Sequence, residues 1–314
     1  MTYQQRKDVR VLYLGTPAIA VKPLLKLIEL GYNVVGVVCQ EDKEVGRKHT
    51  LTPPPVKVAA LEHDIPVYQP HRIRLDHEWV KDLNLDVIVT MAYGQILPDD
   101  LLTTPKQGSV NLHGSLLPKY RGAAPIQRAI ENGDKETGIT LMEMAHEMDA
   151  GRMYAKEVVK IDESDTYTTL CDKLSNAAAS ILENYLFDYV NGKIEGEVQN
   201  AEEVTFAAKI LPDEEKLSLE LNKNDLIHKI HALSEEPGGY FLLKDKKFKI
   251  LNASSFDDIE NEEIGLLSFK QKKLLLQAKG GHIALLFVQP EGKKKMSGMD
   301  FASGAHLENK EMLS

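Results

Sequence analysis

The chain has 314 residues, of which 43% are hydrophobic and 27% charged, and a formal net charge of −9. That length favours two domains over one, and the composition is that of a globular chain, not a disordered or fibrous one. The acidic balance argues mildly against a nucleic-acid partner, but it leaves room for an enzyme that grips one end of an RNA through a local patch.

In chain order, the N-terminal MTYQQRKDVR is polar and shows no apolar core of a secretory signal. No later run reaches the roughly 18 to 20 apolar residues of a membrane span. Residues 9–14 read as a strand, residues 18–30 as a helix closed by Gly31, and residues 34–39 as a second strand. This is the rhythm of a parallel, Rossmann-like sheet. The turn Gly15-Thr16-Pro17 lacks the Gly-x-Gly-x-x-Gly fingerprint, so no dinucleotide is expected. Residues 40–55 form a loop carrying Lys43, Arg47, Lys48 and His49 ahead of three prolines. Loops beyond about 12 to 15 residues are usually functional or disordered. Residues 56–63 read as a helix, 65–68 as a short strand, 79–83 as helical and 85–92 as a central strand. The apolar loop 93–98 follows, where Gly94 allows close backbone approach; its walls suit either a flat heterocycle or internal packing.

The most informative stretch is VNLHGSLLPKYRGAAPIQR, residues 110–128. It opens as a buried strand leaving a parallel sheet. Alternation places Asn111 and His113 on one face and Leu112 on the other. Ligands of open α/β sheets bind at the carboxyl ends of strands. An amide N–H donor beside a titratable imidazole suits the oxyanion that develops in acyl transfer. Residues 137–142 read as the next strand, followed by a turn that carries Asp149. There is neither a Gly-x-Ser-x-Gly elbow nor a Cys–His pairing, so no covalent nucleophile is expected. Cys39 and Cys171 lack ligand spacing and fit a reducing cytoplasm, with no metal and no disulfide framework.

Beyond a strand at 156–161 and a long amphipathic helix at 167–189, residues 192–207 are polar and acidic and read as a linker. They would separate a domain of residues 1–191 from one of residues 208–314. The latter holds a short helix at 226–233 and then short β segments near 241–243, 248–251, 273–278 and 282–289, the pattern of a small barrel. Residues 201–314 contain 16 Lys, no Arg and 19 Asp plus Glu, so this half is not basic as a whole. Its lysines bunch at 244–249, 270–273 and 293–295. On charge alone, such bunches serve equally to hold a phosphate backbone or to solvate a face.

The run Asn-x-His-x-Ser-Leu-Leu-Pro at residues 111–118 resembles the signature of the 10-formyltetrahydrofolate-dependent formyltransferases. The longer HGSLLPKYRGAAPIQRAI is similar to their methionyl-tRNA formyltransferase branch, as are EEPGGYFLL and VQPEGKKKMSGMDFASG further on. The resemblance covers nearly the whole chain. It implies an α/β protein: a Rossmann-like, mostly parallel N-terminal formyltransferase domain followed by a small OB-like β-barrel domain that contacts tRNA. It assigns catalysis to Asn111, His113 and Asp149. It assigns the folate site to Ser115, Leu116, Leu117 and Pro118 of one loop and to Ala92, Tyr93, Gln95 and Ile96 of another. For tRNA it points to Lys43, Arg47 and Lys48 in the 40–55 insertion and to Lys293, Lys294 and Lys295 on the barrel.

Two departures stand out: the insertion is less basic than in relatives, and His231 stands where relatives often carry Arg. The implied reaction moves a formyl group from 10-formyltetrahydrofolate to the α-amine of methionyl-initiator tRNA, without a metal, in a cytoplasmic monomer. A small amine acceptor, an amino sugar nucleotide or glycinamide ribonucleotide, is the alternative. The insertion and the lysine-bearing barrel favour RNA. A non-catalytic folate- or RNA-binding protein is a further rival, against which the intact Asn111, His113 and Asp149 argue.

Overall fold

The computed structural model describes residues 3–46, 49–257, 262–304 and 311–314, so Arg47 and Lys48 lie outside the described residues. The chain forms two compact units. Unit 1 comprises Met1–Gly122, Thr137–Lys160 and Cys171–Ala207. Its strands are β1 (Arg10–Gly15), β2 (Asn33–Val38), β3 (Lys43–Val45), β4 (Thr50–Thr52), β5 (Val67–Tyr68), β6 (Val87–Met91), β7 (Ser109–His113), β8 (Arg121–Gly122), β9 (Glu136–Glu143), β10 (Met153–Lys160) and β11 (Phe206–Ala207).

Seven of these make one sheet in the order β10-β9-β7-β6-β1-β2-β5. The stretch from β7 to β5 is parallel, and β9 runs antiparallel to β7. Strand β6 is buried along its whole length, as expected for a strand covered on both faces. Between β1 and β2 the chain passes through the helix Val21–Glu29, which buries Leu24 and Leu27. Gly15 ends β1 because a Cβ there would lie 2.8 Å from the Ala20 Cβ. With β2 on one side of β1 and β6 on the other, strand order reverses at β1, the switch point where α/β sheets open a crevice.

Three stretches differ from the sequence expectation. The 40–55 loop contains a hairpin, with β3 pairing β4 from Lys43↔Thr52 to Val45↔Thr50. Both three-residue strands are exposed throughout, so there was no apolar period to read. The helix expected at 167–189 runs without a break but carries a π turn at Leu182–Leu186 between α segments Tyr167–Ile181 and Phe187–Val190. The polar stretch 192–207 is bonded into unit 1 and is no free linker. Glu197 exchanges two 2.8 Å backbone hydrogen bonds with Met153, and β11 pairs in parallel with β8. The contact boundaries also depart from the expected division, because residues 123–136 and 161–170 group with residues 208–314.

Unit 2 comprises Ala123–Glu136, Ile161–Leu170 and Ala208–Ser314. Strands β12 (Tyr240–Leu243), β13 (Lys246–Phe256), β14 (Leu266–Lys270), β15 (Lys273–Ala278), β16 (Gly281–Pro290), β17 (Met296–Ser297) and β18 (Glu311–Met312) form a nearly closed antiparallel barrel, ordered β12-β13-β16-β15-β14-β18 with β17 on β16. Register shifts at Ile250, Asn252 and Ala253 bend β13 against β16, the device that lets a sheet curl. The core holds Phe241, Phe248, Leu274, Ile283 and Val288, closed by Leu226, Ile230 and Leu233 of the helix Lys223–Leu233. Asn222 caps that helix, its side-chain oxygen accepting from the N–H groups of Asn224 and Asp225.

Arg128, in the helix Pro125–Glu131, bonds Glu131 at 2.6 Å and Glu214 at 2.7 Å, and Lys229 bonds Glu131 at 2.7 Å. The Arg128 guanidinium holds the Glu214 carboxyl down to about 2. Among the described residues no helix is long and apolar enough to cross a membrane.

Candidate active site

The site is built in unit 1 on the carboxyl ends of β1, β6 and β7. Thr90 and Asn111 are cross-strand partners in the parallel β6–β7 register, so their side chains leave the same face. The Thr90 hydroxyl donates to the Asn111 carboxamide oxygen at 2.7 Å. The amide nitrogen of Asn111 has no partner among the described residues and is left to donate elsewhere. Two residues along the same face, His113 is 5% exposed. Its Nε2 lies 2.9 Å from the Tyr120 carbonyl, and its Nδ1 lies 3.6 Å from Asp149 Oδ1. Both ring nitrogens therefore face acceptors.

Asp149 sits in a turn that the sequence dictates at two points. It adopts φ +52°, a left-handed conformation that Asp tolerates better than most residues. Gly151 follows because a Cβ there would lie 1.9 Å from the Glu143 carbonyl oxygen. The Gly122 N–H donates to Asp149 Oδ2 at 2.9 Å, which leaves Oδ1 as the oxygen turned to His113. Gln199 braces the turn from behind. Its amide nitrogen donates to the carbonyls of Asp149 at 2.7 Å and Gly151 at 2.9 Å, while its oxygen accepts from the buried Arg121 at 2.9 Å. Arg121 also meets Glu147 at 3.3 Å.

The expected folate loops flank this centre. Ser115 is fully buried: its hydroxyl donates to the Lys119 carbonyl at 2.6 Å, and its own carbonyl accepts from Thr140 at 2.7 Å. It therefore shapes the loop from within. Leu117 and Pro118 are buried, with Leu117 packed on Met142 and Met153, while Leu116 is half-buried. On the other loop Ala92 is exposed at φ +50°, Tyr93 is buried and Ile96 is 74% exposed. The Tyr93 carbonyl accepts from Thr16 at 2.9 Å and Gln40 at 3.1 Å, which ties the loop to the end of β1. Gln95 is half-buried and accepts from the Ile73 N–H at 2.8 Å. Ala92 and Ile96 are thus exposed apolar side chains on one loop, and Leu116 is a half-buried one on the other.

Of the basic residues, Lys43 is exposed on the β3–β4 hairpin, and Lys293 and Lys294 are exposed after β16. Lys295 is engaged within unit 2, paired with Glu235 and lying 4.7 Å over the Phe287 ring. His231, 2% exposed, bonds the Ala253 carbonyl at 2.8 Å, and burial pushes its pKa down. Among the described residues one group of potential metal ligands converges, His77, Glu78 and Asp100. His77 is 2.9 Å from Asp100 and Glu78 pairs with Lys81, so these groups satisfy ordinary ion pairs.

Sequence reasoning missed Thr90, Gln199 and the Tyr120 carbonyl. A threonine in an otherwise apolar central strand was a signal for the first. Gln199 lies in a stretch with no period at all.

Two family models match the chain: "Formyl transferase" over residues 8–186 and "Formyl transferase, C-terminal domain" over residues 209–306. A methionyl-tRNA formyltransferase from Bacillus subtilis is 44% identical over 308 residues, covering 97% of each chain. Among solved structures, a methionyl-tRNA formyltransferase from Clostridium thermocellum superposes with a TM-score of 0.58 at 17% identity, covering 90% of this chain and 98% of that one. HypX from Aquifex aeolicus, solved with tetrahydrofolic acid, gives a TM-score of 0.70 at 14% identity over 96% of this chain and 48% of its own. These two structures share the fold, while the match at 44% identity over 97% of the chain and the "Formyl transferase" model covering more than half the residues make the chain a member of the formyl transferase family.

Proposed function

We propose that the chain transfers a formyl group from 10-formyltetrahydrofolate to the α-amino group of methionyl-initiator tRNA, yielding N-formylmethionyl-tRNA and tetrahydrofolate. The observation that carries this reading is the Asn111 carboxamide, its oxygen engaged by Thr90 and its nitrogen unengaged, beside the His113–Asp149 pair. The near-full-length relatives named methionyl-tRNA formyltransferase support the acceptor.

The folate co-substrate supplies an activated formyl carbon with a nitrogen leaving group. Ala92 and Ile96 on one loop and Leu116 on the other are the residues we assign to its ring, with Leu117 and Pro118 supporting from beneath. Asn111 donates its amide N–H to the formyl oxygen as negative charge gathers there, stabilisation that usually dominates acyl transfer. His113, when cationic, adds positive charge on the same face and relays a proton toward the departing nitrogen. Asp149 orients the imidazole through Oδ1 and helps take the proton shed by the attacking amine. Holding amine and carbonyl together supplies the remaining advantage as effective concentration.

Lys43, Lys293 and Lys294 are the exposed cations we assign to the tRNA backbone. Lys295 joins them only by exchanging its pairing with Glu235, and Arg47 and Lys48 complete the set from sequence resemblance. The buried, unbridged Cys39 thiol supports a cytoplasmic setting.

The test is formyl transfer to charged initiator tRNA, uncharged tRNA and small amines at two salt concentrations. Transfer confined to the charged tRNA and weakened by salt supports the reading. Transfer to small amines alone would retain the chemistry and remove the tRNA.

A further inference from the structure

We propose that Thr90 is a positioning residue for this reaction, fixing which edge of the Asn111 carboxamide faces the formyl oxygen; the proposal rests on the formyl-transfer reading above. A carboxamide has two edges of nearly the same shape and opposite character: the nitrogen donates and the oxygen accepts. Turned one way, Asn111 stabilises an oxygen that is gaining charge. Turned the other way, it opposes that oxygen with one of its own. The catalytic value of Asn111 therefore depends on a rotation of its terminal torsion that packing alone does not select.

The sheet selects it through register. Thr90 lies directly across from Asn111 on β6, is 3% exposed, and places its hydroxyl 2.7 Å from the amide oxygen. A hydroxyl can donate or accept, so contact by itself does not fix the amide. The hydroxyl's other neighbour does: it is the Met144 thioether at 3.4 Å, a weak acceptor. A buried O–H that finds no good acceptor is costly, so donation to the Asn111 oxygen is the strong arrangement available. The β-branched side chain adds to this, because its restricted χ1 holds the hydroxyl on the strand face. Thr90 is also the sole polar residue of β6, which otherwise reads Val, Ile, Val and Met.

The experiment compares Thr90→Val, Thr90→Ser, Asn111→Ala and the double variant Thr90→Val/Asn111→Ala in the full chain, reading kcat and KM for both substrates. Thr90→Val keeps the shape and loses the donor. It is expected to lower kcat by about 5- to 30-fold, the range of one displaced buried hydrogen bond, with both KM values unchanged. Thr90→Ser should stay near the parent rate. On the Asn111→Ala background the valine should add nothing, since no amide remains to orient.

Three results would overturn the proposal: a Thr90→Val variant with the parent kcat, a serine variant as slow as the valine, or a valine effect that persists without Asn111. If Thr90→Val does not fold, Thr90→Ala carries the same expectations. Asn111→Ala separates the two readings. Its loss alongside an unaffected Thr90→Val removes only the role of Thr90, whereas an Asn111→Ala variant at the parent rate removes the active-site assignment itself.

Discussion

Replacing Gly151 by Ala tests how tightly the Asp149 turn is built. An added Cβ would stand 1.9 Å from the Glu143 carbonyl oxygen, 2.8 Å from its carbon and 3.2 Å from its Cβ. Ordinary contact between carbon and oxygen begins near ~3.2 Å, so the two backbones must part by more than about 1 Å. Neither side yields easily. The Glu143 N–H is bonded to the Arg152 carbonyl at 2.8 Å, and the Gly151 carbonyl is held by Gln199 at 2.9 Å. The displacement falls two residues from Asp149, whose Oδ2 depends on the Gly122 N–H at 2.9 Å. A misplacement of about 1 Å in a catalytic group costs on the order of 100-fold in rate. Single-turnover formyl transfer should therefore slow by roughly that factor, and overpacking of this kind should cost about 1 to 3 kcal/mol in urea unfolding. A Gly151→Ala variant with both rate and stability within error of the parent would refute the claim that this close approach sets the turn.

Other consequences can be checked beside it. Gln199→Leu leaves two carbonyls and the Arg121 guanidinium without their amide, so kcat should fall about 10-fold and unfolding free energy by roughly 2 to 4 kcal/mol, read by kinetics and urea titration. Glu214 has a folded pKa held at about 2, below its unfolded value, so its pairing stabilises the protein at neutral pH and is lost as pH falls from about 5 toward 2. Glu214→Gln should flatten that acid limb by about 2 kcal/mol in unfolding measured against pH, leaving its shape above pH 5 unchanged. Phe241→Ala empties a fully buried position of the barrel core and should cost about 3 to 5 kcal/mol by denaturant titration. Lys293→Glu with Lys294→Glu should raise KM for tRNA, leave KM for the folate untouched, and lower the salt slope of tRNA binding by about 1 per lost contact.

What the sequence disclosed followed from period and motif. Alternation alone set Asn111 and His113 on one face, and the apolar runs of β1, β2 and β6 announced a parallel sheet. The assignment of Asp149 rests on resemblance to a family, because nothing in its own neighbourhood separates it from Glu143 or Glu147. Thr90 stayed hidden for a different reason. Which residue of one strand faces which residue of another is decided by register between positions 21 apart, and no local pattern records it. Gln199 acts from a stretch whose polarity mimics a linker, since its backbone partners lie on β10 and in the Asp149 turn. Lys295 reads as a free cation beside Lys293 and Lys294, but Glu235 is distant in sequence and pairs with it.

The attachment of residues 192–207 to the catalytic unit bears on how this protein can be recombined. A fragment ending at residue 191 would lack Gln199, whose amide braces the Asp149 turn, and Thr205, whose hydroxyl accepts from the Tyr120 N–H at 2.9 Å. Tyr120 in turn supplies the carbonyl that orients His113. Any chimera that keeps this geometry has to carry the chain through Ala207, instead of stopping at the helix end near Gly192. Natural exchange of the barrel between relatives would face the same constraint, with the polar tail inherited together with the candidate site it braces.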